Sequence, residues 1–82
     1  MDKTMVIDTD KIGTLNAKET LKQIVIDLED RGYNAYKQIT EYLLTGEIGY
    51  ISSYKECRSK MAELNRRDVV ELMLKEFTKW EQ

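Results

Sequence analysis

Histidine and proline are both missing from this 82-residue chain, and Cys57 is its one cysteine. Without histidine the usual zinc-ligand spacings are absent, and no imidazole stands ready to activate a nucleophile. A single thiol excludes an intrachain disulfide. No apolar run approaches the roughly 18 residues that a membrane-spanning helix needs, and the N-terminus has no apolar signal-peptide stretch. A cytoplasmic protein is therefore expected, which one reduced thiol also fits. Charge is balanced, with 13 basic and 15 acidic residues and a net charge of -2, which argues against a surface built to grip nucleic acid. A domain of this size buries only roughly 60% of its unfolded surface. With neither disulfide nor metal to help, a second copy of the chain is the remaining support, and a homodimer is expected.

What the chain does contain is helical spacing. Residues 1–15 carry three Asp, three Thr and Gly13, residues that disfavour a helix, so they are expected to form a flexible tail. Residues 16–82 read as one all-α domain of four main helices and short loops, with room for a fifth short one. Asn16 opens N-A-K-E, a capping box with Glu19. Leu21, Ile24, Val25 and Leu28 then share a face, and Ile26, off that face, points to a second buried contact. Gly32 ends the helix in the left-handed conformation. Asn34 caps a second helix with a stripe of Tyr36, Ile39, Tyr42 and Leu43, closed by Gly46. Ser53 with Glu56 predicts a third start, whose inner face is Cys57, Met61 and Leu64. Asn65 with Asp68 begins the last helix, carried by Val69, Leu72, Met73, Phe77 and Trp80.

Chemistry-bearing constellations are scarce. Cys57 lies among apolar neighbours and reads as a small core residue. No acidic cluster has metal-site spacing, and no G-K-[ST] follows Gly46 or Gly49 to make a phosphate loop. Neither a catalytic site nor a cofactor is expected. Lys55, Arg58, Lys60, Arg66 and Arg67 gather around the last helix junction. They read either as a solvated face, offset by Glu56, Glu63 and Asp68, or as forked donors for a partner's phosphate or carboxylate. Thr4 and Thr9 lie beside aspartates in the tail, where a phosphate would add about -1.5 to -2 charge.

Within R-G-Y-N-A-Y-K-Q-I-T-E-Y-L-L-T-G-E-I-G-Y-I, residues 31–51, stand four of the five tyrosines and three of the four glycines. Gly32, Tyr33, Asn34, Gln38, Ile39, Tyr42, Leu43, Leu44, Gly46, Tyr50 and Ile51, followed by Arg58 and Arg66, resemble the core of the IreB family of small bacterial regulatory phosphoproteins. The likeness runs from about Leu21 to Phe77, and Thr4-Met5 is similar to the family's phosphorylated pair. That resemblance implies a non-enzymatic cytoplasmic homodimer. Its implied kinase is a membrane Ser/Thr kinase with extracellular PASTA repeats, and its implied output is control of cell-wall synthesis through regulated proteolysis. Thr4 would accept the phosphate, and Arg58 and Arg66 would contact a partner, with Arg67 beside them. Ala35 and Ile48 depart from usual prolines, Ala62 from a common arginine, and Arg67 from an aspartate. Two other readings stand beside this one: a helix-turn-helix DNA binder using Arg66 and Arg67, and a helical dimeric scaffold with no switch.

Overall fold

A computed structural model describes residues 9–79 of the chain. These residues form four α-helices and no strand: α1 (Thr9–Asp30), α2 (Ala35–Thr45), α3 (Cys57–Ala62) and α4 (Arg66–Thr78), with 3-10 turns at Ile48–Tyr50 and Tyr54–Glu56. The expected all-α class and its four main helices are what the described residues adopt. The predicted tail lies partly outside the described residues.

One boundary is corrected. The first helix begins at Thr9, so Asn16 and Glu19 sit inside it rather than at its start. Thr9 and Asp10 fall in the first turn, where short polar and acidic residues are tolerated better than in a helix interior. Only Gly13 and Thr14 are then left as interior costs, of the order of 1 kcal/mol or less each.

The far end of α1 closes as the glycine predicts. Gly32, at φ +95°, donates to the Glu29 carbonyl at 2.9 Å, and Tyr33 donates to Leu28 at 3.0 Å. These are the paired bonds of a Schellman cap. α2 starts where the Asn34 side chain accepts from the Lys37 amide at 3.0 Å. Ala35, in place of a proline, keeps an amide that donates to Glu29 Oε2 at 3.3 Å, so this departure ties the two helices together. Gly46, at φ +80°, donates to the Tyr42 carbonyl at 2.7 Å and ends α2.

α1 packs against α2, α3 and α4. The core is Ile24, Leu28, Ala35, Ile39, Tyr42, Ile51, Cys57 and Met61, with Leu21, Val25, Leu43, Ile48 and Leu64 against its edge. Val69 and Leu72 bring the inner face of α4 down onto this layer. The stripe of α2 differs from expectation at one position, because Ala35 is buried and Tyr36 is exposed. On the last helix Met73 and Phe77 are exposed, and Trp80 lies outside the described residues. Ile26 is also exposed, so no contact among the described residues covers it.

The third helix start is the second correction. Ser53 makes no capping bond, and α3 begins only at Cys57. Ser52 Oγ instead accepts from the Tyr54 amide at 3.1 Å, and Lys55 and Glu56 both take positive φ, +49° and +62°. Two successive non-glycine residues in this region are unusual and cost of the order of 1 kcal/mol each. Burial decides the path here. Ile51 and Cys57 are both fully enclosed, and the chain between them must turn sharply to bring both sides inward.

Lys18 of α1 and Lys79 both pair with Glu76. Hydrogen bonds from Lys18 and then Lys79 hold the Glu76 carboxyl below its ordinary value of 4.5. A carboxyl lowered in the folded state stabilises the fold above that ordinary value and loses the contribution as pH falls through the folded value. The melting temperatures of wild type and Glu76→Gln are accordingly expected to differ at neutral pH and to converge as the pH falls below 4.5 and on through the lowered folded value. A constant gap across a pH series of thermal melts would show that the pair adds nothing.

Candidate functional site

The site is best built from α4. Asn65 accepts from the Asp68 amide at 3.1 Å through its side chain, which sets Arg66 as the first residue of the helix. From there the Arg66 guanidinium reaches back to α2, and Nη1 donates to the Leu43 carbonyl at 3.1 Å. That carbonyl belongs to the last turn of α2, where a cation is favoured by the helix dipole. The approach depends on Gly46: a Cβ there would stand 2.9 Å from Arg66 Nη1. Arg67 lies beside it and lines an open, shallow hollow with Leu43, Leu44, Arg66 and Val70. Among the described residues Arg67 makes no hydrogen bond or ion pair. The hollow thus offers one unshared guanidinium, one partly engaged guanidinium and three aliphatic side chains.

Arg58 does something else. Its Nε donates to the Ile51 carbonyl at 2.8 Å, fastening the segment between the two 3-10 turns. The Ser52 amide fastens the same segment by donating to Gln38 Oε1 at 3.0 Å. Of the three predicted contact arginines, the structure brings Arg66 and Arg67 to one hollow and gives Arg58 a bracing bond elsewhere. Thr9 is the first residue of α1, and Thr4 lies outside the described residues.

Sequence reasoning passed over Asp27. It is 5% exposed on the inner side of α1, accepts from Gln23 Nε2 at 3.0 Å, and lies 4.0 Å from Lys60 Nζ of α3. Its position between Ile24 and Leu28, on the same helical face, was the available signal. A charge on that stripe has to be partnered, and Lys60 supplies the partner. Tyr54 is held in another way, with Arg31 5.8 Å and Lys55 5.5 Å from its ring centre.

Cys57 carries the one thiol among the described residues. It is fully buried, and Sγ lies 3.9 Å from the Ile24 carbonyl. Burial, and then the negative charge of Asp27, push its thiol above the ordinary value. Both effects oppose thiolate formation. Alkylation of the native protein at pH 8 is expected to be at least about 10³-fold slower than in urea, because exposure requires opening of the core. Comparable rates in the two conditions would show that Cys57 is accessible. Among the described residues no group of His, Cys, Asp and Glu could hold a metal ion.

Fold and hollow together define a small all-α protein that carries a mixed basic and aliphatic surface. The family is more specific: a family model described as IreB regulatory phosphoprotein matches residues 2–79. The chain belongs to that family, and its role is that of a regulatory phosphoprotein. The match takes in Thr4, Thr9, the three arginines and all of α4.

Proposed function

We propose that this chain is a non-enzymatic, dimeric substrate of a membrane Ser/Thr kinase, acting in the cytoplasm on cell-wall homeostasis through protein contacts that govern proteolysis. The observation that carries this reading is the family match over residues 2–79, because it spans both the threonines and the Arg66–Arg67 hollow. No helix among the described residues is long and apolar enough to cross a membrane.

The switch is electrostatic. A phosphate on Thr4 brings about -1.5 to -2 charge and three acceptor oxygens. Arg67, with no partner among the described residues, offers two parallel donors to such a group. Docking of the phosphorylated segment on the hollow would hide Arg67, Leu44 and Val70 from a partner, or present the phosphate beside them. A phosphate on Thr9 would act at the start of α1, where negative charge is favoured.

Incubation with a PASTA-type kinase and ATP, read by mass spectrometry, tests the reading. Thr4 is expected to carry the modification, and Thr4→Ala to remove most of it. Absence of modification at both Thr4 and Thr9 would sink the switch. Deleting residues 1–8 leaves α1 whole, so partner capture that stays unchanged and kinase-independent after this deletion would favour the scaffold reading. A mobility shift with duplex DNA at low salt would favour the DNA-binding reading, since phosphate attraction is strongest there.

A further inference from the structure

Among the described residues, only Lys55 and Glu56 combine a side chain with a positive φ. Their φ, ψ pairs are +49°, +32° and +62°, +26°, both left-handed. Strain of this kind persists only where the surroundings impose it, and it gathers at switch regions. The contacts that impose it here are identifiable. Ile51 and Cys57, both fully enclosed, fix the two ends of a strap formed by residues 52–56. The Ser52 amide ties the strap to α2 by donating to Gln38 Oε1 at 3.0 Å, and the Tyr54 ring sits 5.8 Å from the Arg31 guanidinium. Arg58 Nε, donating to the Ile51 carbonyl at 2.8 Å, closes the two ends on each other. The bonds from the Tyr54 amide to Ser52 Oγ and from the Glu56 amide to the Ser53 carbonyl stay inside the strap. Ser53, Lys55 and Glu56 are exposed.

We propose that residues 52–56 form a strained strap with Arg58 as its clasp, which opens locally while the helices stay packed. The balance of forces supports this. Two polar bonds and one ring contact hold the strap down, and none of the side chains that make them is buried. Two left-handed residues push against them. A net hydrogen bond and a left-handed non-glycine residue are of similar size, so the two sides nearly offset. Segments with few buried contacts are the ones that open below the energy of global unfolding.

Opening changes what Arg58 offers. While Nε is held by the Ile51 carbonyl, the fork of Nε and one Nη is withheld. A carboxylate that grips the guanidinium through that fork must displace the carbonyl. Such binding and release of the strap then favour each other by the same factor. This consequence rests on the reading of Arg58 as a partner contact; the opening itself does not.

Hydrogen exchange of the full chain, followed by NMR, tests the strap without kinase or partner. The amides of Ser52, Tyr54 and Glu56 and the Arg58 Nε–H are expected to share one opening. Their protection should be at least about 10-fold below that of the Ile24 and Leu28 amides. Urea below the unfolding transition should speed exchange at Ile24 and Leu28 and leave the strap unchanged, because a local opening exposes little surface. Arg58→Ala and Gln38→Ala are each expected to speed strap exchange about 5-fold, through loss of one fastening. Glu56→Gly should slow it about 3- to 5-fold relative to Glu56→Ala, since both lose the carboxylate and only glycine relieves the strain. Strap protection that equals that of the core and falls with it in urea would show that no local opening exists. Equal exchange in Glu56→Gly and Glu56→Ala would show that strain does not drive it. An Arg58 Nε–H that exchanges freely while the strap amides stay protected would remove the clasp. An unmodified Thr4, by contrast, would count against the kinase reading and leave these results as they stand.

Discussion

Replacing Ile24 by alanine is expected to cost about 2–5 kcal/mol, the range for a buried isoleucine whose cavity only partly collapses. Ile24 is fully enclosed and sits in the cluster formed by α1, α2 and α3. A domain of this size has a total stability of about 4–12 kcal/mol at the usual 0.05–0.15 kcal/mol per residue. The substitution therefore removes a large part of the total, and at the upper end it unfolds the protein at room temperature. Ile26 is the control: two positions on, it is 58% exposed, and Ile26→Ala is expected to change monomer stability by less than about 0.5 kcal/mol. Urea unfolding followed by circular dichroism measures both. Equal effects at the two positions would mean that α1 is rotated about its axis from the orientation described. Leu43, read from sequence as a core leucine, is only half-buried at the core edge, so Leu43→Ala should fall at or below the low end of that range.

Gly46→Ala is expected to be the most damaging glycine substitution, by about 2–4 kcal/mol, and Gly32→Ala to cost about 1–2 kcal/mol. Both glycines have positive φ, +80° and +95°, so both alanines carry the left-handed penalty. The difference lies in their surroundings. A Cβ at Gly32 would meet nothing within 4 Å, whereas one at Gly46 would press on Arg66 Nη1 at 2.9 Å and Cζ at 3.1 Å. The guanidinium would have to leave, and its bond to the Leu43 carbonyl would go with it. The mechanism predicts non-additivity: in an Arg66→Ala background, Gly46→Ala should cost no more than Gly32→Ala does in the wild type. Full additivity in a double-mutant cycle would show that the close approach carries no energy. The same substitution should also weaken partner binding, because it displaces one of the two arginines of the hollow.

The helix ends that were legible share a physical property. Asn34, Gly32, Gly46 and Asn65 act through bonds that close within five residues, so the sequence displays donor and acceptor together. Ser53 shows the limit. Its local signal was sound, but burial of Ile51 and Cys57 on either side bent the chain away from it and into the left-handed turn at Lys55 and Glu56. The start of α1 shows another limit, because propensities summed over residues 1–15 ignored that Thr9 and Asp10 could occupy a first turn, where their costs are smaller than in a helix interior.

By itself the sequence determined the helical class, the punctuation between helices, the core face of α1 and the family, since all of these are written in residue type and short spacing. Only the tertiary structure decided what the arginines do. Arg58 turns to a carbonyl seven residues away and Arg66 to one 23 residues away, while Arg67 finds no partner among the described residues. Side-chain spacing along one helix gives no sign of which carbonyl another helix will bring within hydrogen-bond reach. That is settled when α2 ends at a glycine bare enough to let a guanidinium lie against it.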